Sequence, residues 1–380
     1  MLANPLNYFA NLPDPRRQTR NKLHKLEDIV MITLCAILCG FEDWVSIEDF
    51  GHENEQWLRG FLELRNGIPS HDTLSDVMGR IDRAAFARAF GEWMQQGLPC
   101  LAGQQIALDG KSLRGSRDGQ QPAVHLMSAF ATQARLVLGV QAVANKSNEI
   151  KAIPELLAQL ELVGAVVTID AMGCQKSVAQ AIVDRQADYV LALKDNHPTL
   201  REDIATWLEH CDARGDVHQV ESIDKDHGRL ERRRVVVSTE LDWLEARPEW
   251  AGLKAVAMVE SRREAAGKSA LAASVQRRYY LCSMTEPARI AQAIREHWSI
   301  ENQQHWVLDV QFGEDRHRAR KEHSAANLAL IRRAALNLLR DNDSSTISIR
   351  RRKMRCCTNH DYRHQVLFGK RPAPATAAAT

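Results

Sequence analysis

A chain of 380 residues is longer than one core usually organises, so two or three structural regions are expected. Hydrophobic residues make up 44% and charged residues 26%, the balance of a folded globular protein and not of a fibrous repeat or a long disordered chain. The net charge of +2 excludes no class of partner, but it is unevenly spread: Ala291 to Thr380 holds 16 Lys and Arg against 9 Asp and Glu, with Arg350-Arg351-Arg352-Lys353 and Arg355 in one run. Such a stretch is either a solvated basic tail or a phosphate-binding surface.

The most apolar early run, Ile29 to Gly40, is far short of the roughly 20 residues a membrane span needs and reads as a buried helix. The N-terminal MLANPLNYFANLPDPRR has no secretory pattern, so a cytoplasmic location without a membrane partner is expected. Eight cysteines are scattered without a CxxC pair, which indicates neither a disulfide framework nor a zinc finger.

In chain order, apolar residues first recur at three- and four-residue spacing between Lys22 and about Leu98, as in Leu26, Ile29, Val30 and Leu34, then Phe86, Phe90, Trp93 and Met94. This predicts an all-helical N-terminal domain over residues 1–100. Turn residues from Asn66 to Thr73 break the pattern, with Ser70 or Asp72 capping a helix that begins near Thr73; the break is either a plain connector or the turn of a helix-turn-helix. After Gly103 short β-rich runs follow at Gln105 to Asp109, Val124 to Ala131 and Arg135 to Ala144. A helix from Ile150 to about Leu162, a strand from Ala165 to Asp170, a helix from Lys176 to Arg185 and a strand from Ala187 to Lys194 complete the alternation of an α/β mixed sheet. Residues 196–275 fit that alternation poorly and read as an inserted β-rich subdomain. Helical blocks from Glu286 to about Phe312 and from Arg318 to Leu339 close a domain over 101–340, and residues 341–380 read as a basic, disordered tail ending in PAPATAAAT.

Asp109 and Asp170 each close an apolar strand beside a glycine-containing turn, a way of presenting a hard-metal ligand at a sheet edge. Glu301 supplies a third carboxylate from a helix, where His297, Glu301 and His305 recur at four-residue spacing. Taken alone, each carboxylate reads first as a cap or an ion-pair partner. Together, in the order strand, strand, helix, they suit two Mg²⁺ ions about 3.5 to 4 Å apart, the arrangement for phosphoryl transfer. The rival arrangement, a His297, Glu301, His305 face binding zinc or iron, leaves both strand-end aspartates unused.

The motifs that extend these residues are Asp109-Gly110-Lys111-Ser112-Leu113-Arg114-Gly115, Asn145-Lys146-Ser147-Asn148-Glu149-Ile150, Asp170-Ala171-Met172, Leu193-Lys194-Asp195-Asn196-His197-Pro198, His227-Gly228-Arg229 with Glu231 and Arg233, and His297-Trp298 with Ile300-Glu301-Asn302. With Pro13-Asp14-Pro15-Arg16-Arg17 and Gly67-Ile68-Pro69-Ser70-His71-Asp72-Thr73 near the start, they make the chain resemble the ISAs-type insertion-sequence transposases and the H-repeat-associated proteins, over roughly Asn7 to Arg340. These are bacterial members of the DDE, RNase H-like superfamily.

The resemblance implies an RNase H-like core whose catalytic and metal-binding triad is Asp109, Asp170 and Glu301, served by two Mg²⁺ ions with Mn²⁺ as a substitute. It implies double-stranded DNA as partner, both element ends and target, a homodimer in the synaptic complex, and a nucleoid-associated place in the bacterial cytoplasm. Relatives often carry a Tyr and an Arg before the catalytic Glu and a Lys after it; here those positions hold Ile294, His297 and Leu308, so His297 or Arg295 is expected to serve the phosphate. Lys111, Arg114, Lys146, Lys194, Arg229 and Arg233 are further phosphate candidates, each an ordinary surface charge if taken alone. Trp298 is either a core residue or a base-stacking platform. Two other functions remain beside a working transposase: a DNA-binding relative without catalysis, and an RNase H-like endonuclease that cuts and never joins.

Overall fold

A computed structural model of the chain describes residues 2–19, 22–98, 100–119, 121–143, 149–226, 229–265, 274–342 and 345–369. Up to residue 98 the described chain is helical: α1 (Leu6–Phe9), α2 (Leu26–Cys39), α3 (Trp44–Glu53), α4 (Glu55–Leu58), α5 (His71–Arg80) and α6 (Arg83–Gly97). The apolar run forms α2, of which every residue but Glu27 is buried, and it ends where Gly40 turns left-handed at φ 98°. The turn before α5 passes through Gly67 at φ 71°, and Ser70 caps the helix by accepting from the Thr73 N–H. Among the described residues no single helix is long and apolar enough to cross a membrane.

Nine strands then form one mixed sheet: β1 (Gln105–Ser112), β2 (His125–Ala131), β3 (Leu136–Val143), β4 (Val166–Ile169), β5 (Asp188–Leu193), β6 (His218–Asp226), β7 (Arg229–Ser238), β8 (Ala255–Ala265) and β9 (Ser274–Cys282), in the spatial order β3-β2-β1-β4-β5-β9-β8-β7-β6. The strands β1, β2 and β3 are antiparallel neighbours, whereas β4 and β5 return parallel to β1 through α7 (Glu149–Leu157) and α8 (Lys176–Val183). The helix α9 (Pro198–Arg214) leads into β6.

The region expected as an inserted subdomain has no sheet of its own. Its strands continue the main one, because β9 pairs antiparallel with β5 from Val190 opposite Cys282 to Leu193 opposite Tyr279. This covers the edge that β5 would otherwise leave open. The strand β7 is divided: Val235, Val236 and Val237 are buried, while its Arg232 to Arg234 half is charged. That charged outer half is what made the segment read as separate.

The helices α10 (Pro287–His297), α11 (Trp306–Phe312) and α12 (Ser324–Asp341) follow, with a wide π-helical turn, Ile300–His305, between the first two. Buried from Ser324 to Leu339, α12 packs against α2, α5, α6 and β3, so the N-terminal helices share one continuous core with the sheet.

The basic tail is corrected as well: Ile349–Thr358 and His360–Phe368 are helices, α13 and α14, packed on each other and, through α13, on α2. Three of their cations are structural. The Arg352 guanidinium donates to the carbonyls of Leu339, Ser345 and Ile347. The Lys353 amine donates to the Gln311 carbonyl, and the fully buried Arg363 donates to Cys356, Cys357 and Asn54 while lying 4.5 Å from the Trp57 ring centroid. A basic run reads as solvated only while no carbonyls are known to await it. The terminal PAPATAAAT lies outside the described residues.

Candidate active site

β1 and β4 run parallel with Leu108 opposite Ile169, so the next residues, Asp109 and Asp170, stand at neighbouring positions. Asp170 leaves the strand and caps a short turn, accepting from the Met172 N–H at 3.1 Å. Asn196 donates to the Ala171 carbonyl at 2.7 Å and the His197 ring lies 2.8 Å from the Cys174 carbonyl, so the motif after β5 clamps the Asp170 turn. Glu301 is the second residue of the π turn, and His305 closes it with Nδ1 3.0 Å from a Glu301 oxygen and 3.4 Å from an Asp109 oxygen. One donor atom each from Asp109, Glu301 and His305 lie within 4.8 Å of one another.

These carboxylates share a cleft of about 430 Å³ whose wall also includes Lys194, Arg278, His297 and Trp298. Burial pushes the Asp109 carboxyl up to about 6; the nearby His305 opposes the rise, and the charges of Asp170 and Glu301 add to it. Asp170 is also raised, by burial first and then by Glu149, which is itself buried against His125 at 2.5 Å. The hydrogen bond from His305 holds Glu301 below its ordinary value. A cleft that resists negative charge at Asp109 and Asp170 is one that a bound cation relieves.

The cationic candidates divide. Lys194 lines the cleft and is exposed, and its positive charge acts to lower the neighbouring Asp170 carboxyl. Lys111 is buried and its amine is taken up by Asp309, with Asp315 at 3.8 Å. Arg114 is exposed with its backbone N–H on Asp315, Arg233 is held by Asp224 and Glu231, and Arg295 donates to Asp224 at 2.9 Å. Lys146 lies outside the described residues, as does the side chain of Arg229.

His297 sits 3.0 Å from the Thr168 hydroxyl, and burial lowers it to about 4, so it is neutral near pH 7 and brings no charge to a phosphate. Among the described residues the donor atoms that gather at metal spacing are those of Asp109, Glu301 and His305, and His297 is not with them. Trp298 is not a core residue: it is 50% exposed, with the Arg278 guanidinium 5.1 Å from its ring centroid. Arg278 escaped sequence reasoning because it reaches the cleft through strand pairing. One step beyond the Leu193 to Tyr279 pair lie Lys194 and Arg278.

Residues 6–94 match the family described as DDE_Tnp_1-associated, and residues 102–338 match the transposase DDE domain. A protein of Escherichia coli O157:H7 provisionally named transposase YncI is 41% identical over 370 residues, 95% of this chain and 94% of its own length. YhhI of Escherichia coli strain K12, provisionally named an H repeat-associated transposase, is 36% identical over 369 residues, 96% of this chain and 97% of its own. Among solved structures, a piggyBac transposase synaptic complex with hairpin DNA aligns over 97% of this chain and 80% of its own at 10% identity and a TM-score of 0.44, too slight a likeness to carry an argument. With both matched segments lying over the helical region and the sheet that carries the cleft, the chain belongs to the DDE transposase family, beside the H repeat-associated proteins.

Proposed function

We propose that the chain cuts DNA at the ends of its mobile element and joins the freed 3′ ends to target DNA, using Asp109, Asp170 and Glu301 as metal-holding catalytic residues on an RNase H-like core. The observation that carries this reading is the convergence of carboxylates from β1, the end of β4 and the π turn in one cleft edged by Lys194 and Arg278. The donor set, hard oxygens with an imidazole at its margin, fits a divalent cation. Two Mg²⁺ ions, or Mn²⁺ in their place, supply Lewis acidity there when bound.

The chain's own groups do the rest. Lys194 and Arg278 hold the DNA backbone at the rim, positioning the reacting phosphate. Asn196 and His197 keep the Asp170 turn in place, and the Lys111 to Asp309 pair ties α11, and with it the π turn, to β1. The exposed face of Trp298 offers a stacking surface for a base. Double-stranded DNA is the partner, engaged also by the helical region of residues 1–100, and two copies pair in the synaptic complex. The site of action is the bacterial nucleoid in the cytoplasm.

The test is cleavage of a duplex carrying the element's ends in Mg²⁺. Asp109→Asn, Asp170→Asn and Glu301→Gln should each lower the rate by on the order of 10³-fold, as several kcal/mol of transition-state stabilisation is lost, while DNA affinity stays within about threefold. Full cleavage by any one of the three overturns its assignment. Wild-type cleavage without joining would identify an endonuclease, and binding alone an inactive relative.

A further inference from the structure

The reading above uses three carboxylates, yet the side chain that faces two of them at closest range is an imidazole. We infer that His305 is a nitrogen ligand of the metal site, which makes that site a mixed nitrogen and oxygen centre that favours first-row transition cations over Mg²⁺. The inference rests on the proposed function for the metal site itself and adds a ligand to it.

The geometry points inward from a fixed ring. His305 is 3% exposed, so its position is set by packing and not by solvent. Its Nδ1 is 3.0 Å from Glu301 and 3.4 Å from Asp109, and the three donor atoms lie within 4.8 Å, a span one cation can bridge by drawing its ligands in to about 2 Å. Its other nitrogen, Nε2, is buried without a hydrogen-bond partner, so the polar contacts of the ring are those of Nδ1 with Glu301 and Asp109.

The backbone supports the same reading. Glu301 and His305 are the second and last residues of the π turn Ile300–His305, a rare form found frequently at functional sites. Within that turn Gln304 is fully buried with both amide atoms unpartnered, a further cost that packing alone does not explain. Magnesium takes oxygen ligands in near-ideal octahedra, whereas imidazole suits the later divalent ions, so a nitrogen here shifts selectivity.

The test uses Mn²⁺ alone, without DNA, on the purified full-length protein. Pulsed electron paramagnetic resonance of bound Mn²⁺ should show coupling to ¹⁴N, changing to ¹⁵N when histidine is isotopically labelled. His305→Asn should abolish that coupling and weaken Mn²⁺ binding by at least about tenfold while leaving Mg²⁺ binding within about threefold; His52→Gln, at an exposed histidine of α3 outside the cleft, should leave both unchanged. Absence of nitrogen coupling in the wild type, or its survival in His305→Asn, overturns the inference. The labelled wild-type spectrum decides even where a variant does not fold. Because neither readout involves DNA cleavage, nitrogen coupling in a protein that cuts nothing would sink the proposed function and keep this ligand, and oxygen-only binding in an active protein would do the reverse.

Discussion

Burial places Asp109 at about 6, against 3.8 for an exposed aspartate, so the folded chain binds that proton more tightly than the unfolded one. The sign follows: stability from this group is full below about pH 4, falls as pH rises through about 6, and the loss amounts to at most about 3 kcal/mol. In metal-free buffer the wild type should therefore lose stability relative to Asp109→Asn between those pH values, measured by urea unfolding, and Asp109→Asn should be the more stable protein at pH 7. A pH-independent difference contradicts the buried, charge-crowded setting. At this scale much was legible. Asp170 stands just past a strand end beside a turn, a pattern visible in the letters, and the four-residue step from Glu301 to His305 was visible too; Asp109, read as closing its strand, lies inside β1, which pairs with β2 as far as Ser112. The fates of Lys111, Arg233 and Arg295 were not, because the carboxylates that engage Lys111 and Arg295, and Asp224 of the pair that holds Arg233, come from other elements brought close by folding. His297, read as a phosphate contact, is buried beside the cleft with its ring 3.0 Å from the Thr168 hydroxyl and is neutral near pH 7, a setting that its place in the motif does not reveal.

Among the elements, α12 carries the heaviest electrostatic commitment. Arg333 and Glu314 are both fully buried and meet at 2.6 Å, joining α12 to the short turn that follows α11. Removing one partner leaves an uncompensated charge inside the core, so Glu314→Ala should cost about 3–5 kcal/mol in urea unfolding, and replacing both by apolar residues should cost less. A loss below about 1 kcal/mol for the single change contradicts the pairing. The strands and most helices were predictable because period-two and period-3.6 patterns survive wherever one face is buried. The C-terminal helices were missed for a physical reason: α13 buries cations, not hydrocarbon, and its code is the set of carbonyls that Arg352 and Lys353 reach.

For the molecule as a whole, the continuous sheet decides where charge can act. Pairing of β9 with β5 sets Arg278 beside Lys194 at the cleft, a juxtaposition between segments far apart in sequence that no local motif encodes. The C-terminal basic run divides between structure and surface: Arg350 and Arg351 are exposed on α13, whereas Arg352 is buried. Neutralising Arg350 and Arg351 to Gln should reduce the slope of log affinity for DNA against log salt by about 2, through lost counterion release, whereas Arg352→Gln should lower the melting temperature. An unchanged slope in the first variant would show that α13 does not face DNA. The mixed α/β class thus follows from patterns along the chain and the proposed triad from the family resemblance, while the cationic rim depends on sheet register.

The most direct test of the central claim is end joining. Purified protein is incubated with Mg²⁺, a labelled duplex bearing the element's ends and a plasmid target, with Glu301→Gln as control. The account predicts covalent transfer of the labelled 3′ end to the plasmid by the wild type alone. Joining by Glu301→Gln, or binding by the wild type with neither cutting nor joining, would contradict it.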